Sequence, residues 1–73
     1  MKKLSIAGTV SVLARAFEDN KAFWLREGKS ESEAFELALR EAGDIKHDPF
    51  SPNGAVLDEE AQESFVEVMN TLA

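Results

Sequence analysis

Residues capable of acid–base chemistry stand together at one place in this chain. His47 and Asp48 are adjacent, and a histidine beside a carboxylate is the smallest unit that can relay a proton. Catalysis by such a pair also needs a nucleophile or a substrate pocket on a rigid scaffold. Here the pair is followed by Pro49, Pro52, Asn53 and Gly54, residues of turns and loops. No third residue completes it, so an ordinary surface histidine and a non-enzymatic chain are expected.

Metal chemistry fares no better. Asp44, Lys46 and Asp48 alternate as calcium-loop ligands do, but the pattern then departs from that loop. A lysine holds a ligand position, Pro49 stands where glycine is required, and Ala55 replaces the glutamate at position twelve. The chain has no cysteine and one histidine, which excludes a thiolate site and a zinc site built on several histidines. No metal and no cofactor are expected.

The remaining chemistry is charge. The formal net charge is −6 and the sequence pI about 4.6. Residues 1–29 hold six basic and three acidic side chains, a net +3, whereas residues 30–73 hold two and eleven, a net −9. An acidic surface disfavours direct binding to a phosphate backbone and suits a basic protein partner. Glu59, Glu60, Glu63 and Glu67 load one segment, and Glu31, Glu33, Glu36 and Glu41 another. The plain reading is two solvated helix faces. The sharper one is a surface that mimics the spaced charge of nucleic acid and blocks a basic groove. That physical type is met among small inhibitors from bacteriophages and mobile elements.

Other short patterns carry little information. Asp48-Pro49-Phe50 resembles a tripeptide that docks on adaptor proteins of eukaryotic trafficking, but it sits inside a loop expected to cover the core. Residues 26–43 have the lengths of a helix-turn-helix, yet the would-be recognition helix opens on glutamates, which repel phosphates. Neither a glycine-rich phosphate loop nor a nucleophile motif is present.

The elements that position these groups read as helices. On a helix at about 100° per residue, Val10, Leu13, Ala14, Phe17, Trp24 and Leu25 fall in one apolar stripe. Lys21 is its only polar member and can lay its stem along apolar surface. Val12, Ala16 and Phe23 form a second cluster almost opposite. Such a helix is touched on both sides, or breaks near Asp19-Asn20, or leaves the second cluster for a partner. Thr9 or Ser11 is expected to cap it, and Gly28 to stand just past its end.

Ser30 and Glu33 have the spacing of a capping box. They start a second helix whose stripe is Phe35, Ala38, Leu39 and Ala42, with Gly43 closing it and Leu37 pointing away. Residues 44–57 form a long connector with turn chemistry at Pro52-Asn53-Gly54 and apolar residues Ile45, Phe50, Val56 and Leu57 spaced through it. It is expected to fold back over the open end of the core. Asp58 caps a third helix with the stripe Ala61, Phe65, Val68, Met69 and Leu72, and Val66 at its edge.

Residues 1–16 also carry the pattern of a secretory signal: two lysines, a mostly apolar run and Ala14-Arg15-Ala16. Cleavage near Ala16 would yield a secreted protein. Against it, Ser5, Gly8, Thr9 and Ser11 dilute the run, Arg15 is misplaced, and cleavage would remove much of the first stripe. A cytoplasmic location is therefore expected. No run approaches the eighteen or so apolar residues of a membrane span. A short strand over residues 4–7 has no evident pairing partner.

The sequence thus predicts a single all-α domain of three helices, near 9–27, 31–42 and 58–72, with a long structured loop before the last. It predicts a non-enzymatic protein-binding module, self-associating as a homo-oligomer, with Val12, Ala16, Phe23 and Leu37 as its partner-binding surface. The alternative is an acidic inhibitor acting through Glu59, Glu60, Glu63 and Glu67.

Overall fold

The computed structural model describes residues 2–72. Three helices follow in order: α1, Ile6–Arg26; α2, Glu31–Asp44; α3, Glu59–Leu72. Together they form a small all-α fold with a long structured loop before α3, as the periodicity predicts. Among the described residues no strand forms.

α1 is one unbroken helix through Asp19-Asn20. It starts earlier than Thr9 because Ser5 is the better cap: extended at ψ 171°, its hydroxyl accepts from the Gly8 N–H at 3.0 Å. This gives one more turn and makes Thr9 an interior residue. Within residues 4–7 no strand forms: Ser5 caps the helix and Ile6 and Ala7 belong to it, while Leu4 N–H donates to Val56 O at 2.8 Å and Val56 N–H to Lys2 O at 2.7 Å.

At the far end the helix unwinds at Gly28, whose φ of +94° suits a residue without Cβ. Gly28 N–H donates to Leu25 O at 3.1 Å and Lys29 N–H to Trp24 O at 3.0 Å, satisfying carbonyls the helix leaves open.

The tight connection turns α2 back along α1. Ser30 and Glu33 form the capping box: Glu33 N–H donates to the Ser30 hydroxyl at 3.1 Å. In return the Glu33 carboxylate accepts from Ser30 N–H at 3.3 Å and from the hydroxyl at 3.0 Å. Those two donors, with Lys29 adding a weaker attraction, hold the exposed Glu33 carboxyl below its ordinary value near 4.5.

A carboxyl whose folded pKa is depressed adds stability above its unfolded value and loses it as pH falls through the folded value. Glu33→Gln is therefore expected to flatten the acid limb of the stability curve below about pH 5. Urea unfolding at successive pH values checks this, and a parallel loss in both chains would contradict it.

The core corrects two of the predicted stripes. Thr9, Leu13, Ala16 and Phe17 are the buried residues of α1, while Val10, Ala14 and Leu25, expected inward, are exposed. α2 meets α1 on the Leu13 and Phe17 side, where Ala42, Ala38 and Leu39 pack. Leu13, Ala42 and Leu57 form one cluster, with Leu4, Val12, Ile45 and Phe65 packed on it. Phe17, Ala38 and Leu39 form another, with Phe35, Phe65, Val66 and Met69. Phe17 and Phe35 meet edge-to-face with centroids 5.2 Å apart.

α2 runs past its expected end. Gly43 is helical, and a Cβ placed there would touch Val66 at 3.6 Å. The helix stops instead where Gln62 of α3 takes its last carbonyls. The buried amide donates to Ala42 O and to Ile45 O, each at 2.8 Å. α3 therefore turns Gln62 and Val66 toward the core, and Val68 and Leu72 are left outside.

The loop covers one end of the helices, with Ala55 and Leu57 buried. Val56 bridges Lys3 on one side and His47 on the other. Gly54 turns the chain at φ +62°. Phe50 lies under Arg15, whose guanidinium carbon is 4.0 Å from the ring centroid.

Candidate docking surface

The acid–base residues do not converge. His47 Nδ1 is 3.1 Å from Gly54 O, inside its own loop. Asp48 accepts from Phe50 N–H at 2.8 Å, a local turn bond. Among the described residues no group of three or more His, Cys, Asp or Glu side chains is arranged to hold a metal ion.

The four residues expected to meet a partner do not share one surface. Ala16 is buried at 5% exposure, and Val12 packs against the Leu13 cluster. Leu37 is half-buried on α2. Only Phe23 is open. It sits at the hairpin end with its ring against Trp24, centroids 4.9 Å apart. The Trp24 indole N–H donates to Glu41 Oε1 at 2.9 Å and fixes that end of α1 to α2.

Glu59, Glu60, Glu63 and Glu67 are all exposed along α3. The ion pairs found among the described residues, Lys3–Asp58 at 3.5 Å and Lys21–Glu31 at 3.4 Å, involve none of them.

A different apolar surface emerges between α1 and α3. The seam is lined by Ile6, Val10, Ala61, Phe65 and Val68, with Asp58, Glu60 and Ser64 on its α3 border. Three features of the chain build it. The early start of α1 adds Ile6 to the helix. The rotation of α1 leaves Val10 outside. The Gln62 contact turns Val68 and Leu72 outward. A bond from Asp58 N–H to the buried Thr9 hydroxyl, 2.9 Å, ties the start of α3 to α1 and fixes the seam's lower end. Asp58 then caps α3, accepting from Ala61 N–H at 3.0 Å.

Sequence reasoning missed this surface by placing Val10, Val68 and Leu72 in the core. The available signal was width. On α3, Gln62, Phe65, Val66 and Met69 serve the core, while Ala61, Phe65, Val68 and Leu72 form a second stripe at i, i+4, i+7 and i+11.

Among the described residues no helix is long and apolar enough to cross a membrane. Comparison with protein-family models, with curated proteins and with solved structures finds no match to this chain.

Proposed function

We propose that this chain is a non-enzymatic protein–protein interaction module, acting by occupying a partner's surface through the seam between α1 and α3. One observation carries the reading: three large exposed apolar side chains line it, Ile6 at 67% exposure, Val10 at 41% and Val68 at 58%. Leu72, 72% exposed, follows Val68 one helical turn later on α3. Of the other large exposed apolar residues, Phe50 lies under Arg15, and Phe23 and Leu25 stand at the hairpin end. Scattered apolar residues are ordinary on a surface, whereas a contiguous strip with a polar border is the usual form of a docking site. The acidic border of Asp58 and Glu60 favours a partner basic at its rim. A cytoplasmic, uncleaved chain fits the same reading, since cleavage near Ala16 would remove Thr9 and Leu13 from the core.

The test is retention of protein by a tagged chain in native-host lysate supplemented with its own untagged chain. Wild type and Phe23→Glu are expected to retain the same discrete protein, and Val68→Glu to lose it by roughly tenfold or more. Retention that survives Val68→Glu and fails with Phe23→Glu would place the surface at the hairpin end and overturn the seam.

A second reading is an acidic inhibitor of a nucleic-acid-binding protein, of the kind carried by phages and mobile elements. It is favoured by the exposure of Glu59, Glu60, Glu63 and Glu67 on one helix and by their absence from the ion pairs found. It predicts binding that weakens steeply with salt and is abolished by reversing Glu59, Glu60 and Glu63, with little effect from Val68→Glu.

A further inference from the structure

We infer that the groove between α2 and α3 docks a basic, amphipathic helical segment of a partner protein. The groove shares no lining residue with the α1/α3 seam, and the inference stands on its own observations.

Two adjoining cavities, of about 520 and 410 Å³, share Gly43, Val66 and Asn70 and so form one continuous groove. It follows α3 from Glu59 to Asn70, about 16 Å at the rise of an α-helix. That is the length of about three helical turns. Phe35, Leu39 and Val66 give it an apolar floor, with Leu39 buried and the other two half-buried.

Gly43 stands where the two cavities join, and the fold itself does not require a glycine there. Its φ is not positive. A Cβ would lie 3.6 Å from Val66, an ordinary van der Waals distance. Glycine also weakens a helix relative to alanine. What the missing side chain provides is open space in the middle of the groove, where a second backbone can approach closely.

Charge names the occupant. Glu59, Glu63 and Glu67 recur every fourth residue on α3 and make one wall wholly acidic. On the α2 side Glu36 and Asp44 flank Arg40, and Lys46 stands at the end. Five carboxylates thus line the groove against two cations. All seven side chains are exposed, and the ion pairs found among the described residues include none of them. Carboxylates gathered without cations repel one another and attract a cation that enters between them. The α3 wall is therefore complementary to a row of Lys or Arg, and the floor to an apolar stripe beside it. A helix with an apolar face and a basic flank supplies both at once. A nucleic acid is repelled by the same wall.

Fluorescence anisotropy of a labelled peptide added to the full chain tests the proposal. The probe is a helical peptide of about four turns, with leucines at i, i+3, i+4 and i+7 and arginines along one flank. Its counterpart carries glutamates in place of the arginines. The arginine peptide is expected to bind with a Kd below about 100 µM and to weaken as salt is raised, and the glutamate peptide not to bind. Gly43→Gln adds an uncharged side chain and a better helix former, so it is expected to keep or raise the melting temperature. It is also expected to weaken the arginine peptide by about tenfold or more. Glu63→Lys combined with Glu67→Lys is expected to weaken it as much. Glu18→Lys combined with Glu27→Lys makes the same change of net charge at exposed positions outside the groove. That variant is expected to stay within about twofold of wild type, because exposed charges at a distance are screened. Val68→Glu is expected to leave the peptide bound, which separates the groove from the seam. No binding of the arginine peptide up to about 1 mM, equal loss from the two charge reversals, or indifference to Gly43→Gln would each overturn the proposal. Loss with Val68→Glu and not with Gly43→Gln would also overturn it and assign the basic helix to the seam.

Discussion

Leu13→Ala is expected to leave most of the chain unfolded at room temperature. Leu13 is completely buried and joins the two halves of the fold. It packs with Ala42 at the end of α2 and Leu57 at the end of the loop, with Leu4, Val12, Ile45 and Phe65 around them. Truncating such a leucine costs about 3–5 kcal/mol, the lost transfer free energy plus the cavity left behind. A core in a chain this short rarely supplies more than about 3–5 kcal/mol of net stability. The loss is therefore comparable with the whole. Far-UV circular dichroism and urea unfolding measure it directly. A variant that keeps its helicity and loses only a few degrees of melting temperature would show that the core does not centre on Leu13.

The second large effect is expected at Gln62. Its amide donates to the carbonyls of Ala42 and Ile45 and is the contact that ends α2 and orients α3. Gln62→Leu keeps the volume and removes both donors. An acceptor left buried without a partner costs about 1–3 kcal/mol. The Ile45 bond is only partly buried and can be replaced by water, so a total near 2 kcal/mol is expected.

Gln62→Glu separates hydrogen bonding from packing. A carboxylate facing two carbonyls is repelled by both, whereas a protonated carboxyl can donate to one. Its folded pKa is then raised, so the variant should be least stable at neutral pH and recover as pH falls through that raised value. Denaturant midpoints across pH measure both variants. Equal stability of wild type and Gln62→Leu at all pH values would contradict the role given to the amide.

Much of the helical architecture was legible from local chemistry. Gly28 ends α1 with positive φ, Ser30 and Glu33 close the capping box, and Asp58 caps α3. Each depends on residues within three or four positions, which spacing in a sequence reveals. The loop's role as a cover was legible too, from the apolar Ile45, Val56 and Leu57 spaced between its turns.

What spacing could not reveal was which side of each helix its neighbours would take. A stripe wide enough to serve two directions does not say which is inward. On α1 the choice fell to Thr9 and Ala16, placing Val10 and Ala14 outside. A threonine at position 9 reads as a cap until Ser5 is seen to cap first. On α3 the choice fell to Gln62, a polar residue whose burial follows from two carbonyls seventeen and twenty residues earlier. The pairing of residues 2–4 with Val56 depends on a contact across most of the chain. The docking surface was illegible for the same reason: it consists of the apolar residues that those long-range choices leave outside.

The central claim is that the chain docks on a protein partner through the seam between α1 and α3. The most direct test is a methyl-labelled sample followed by NMR as the protein it retains from lysate is added from about 10 µM to about 1 mM, a range that covers even weak association. The account predicts that shifts and broadening concentrate on the methyl groups of Ile6, Val10, Val68 and Leu72, while Leu25 at the hairpin end and the buried Leu13 stay fixed. Changes centred on Leu25, or none anywhere in that range, would contradict it.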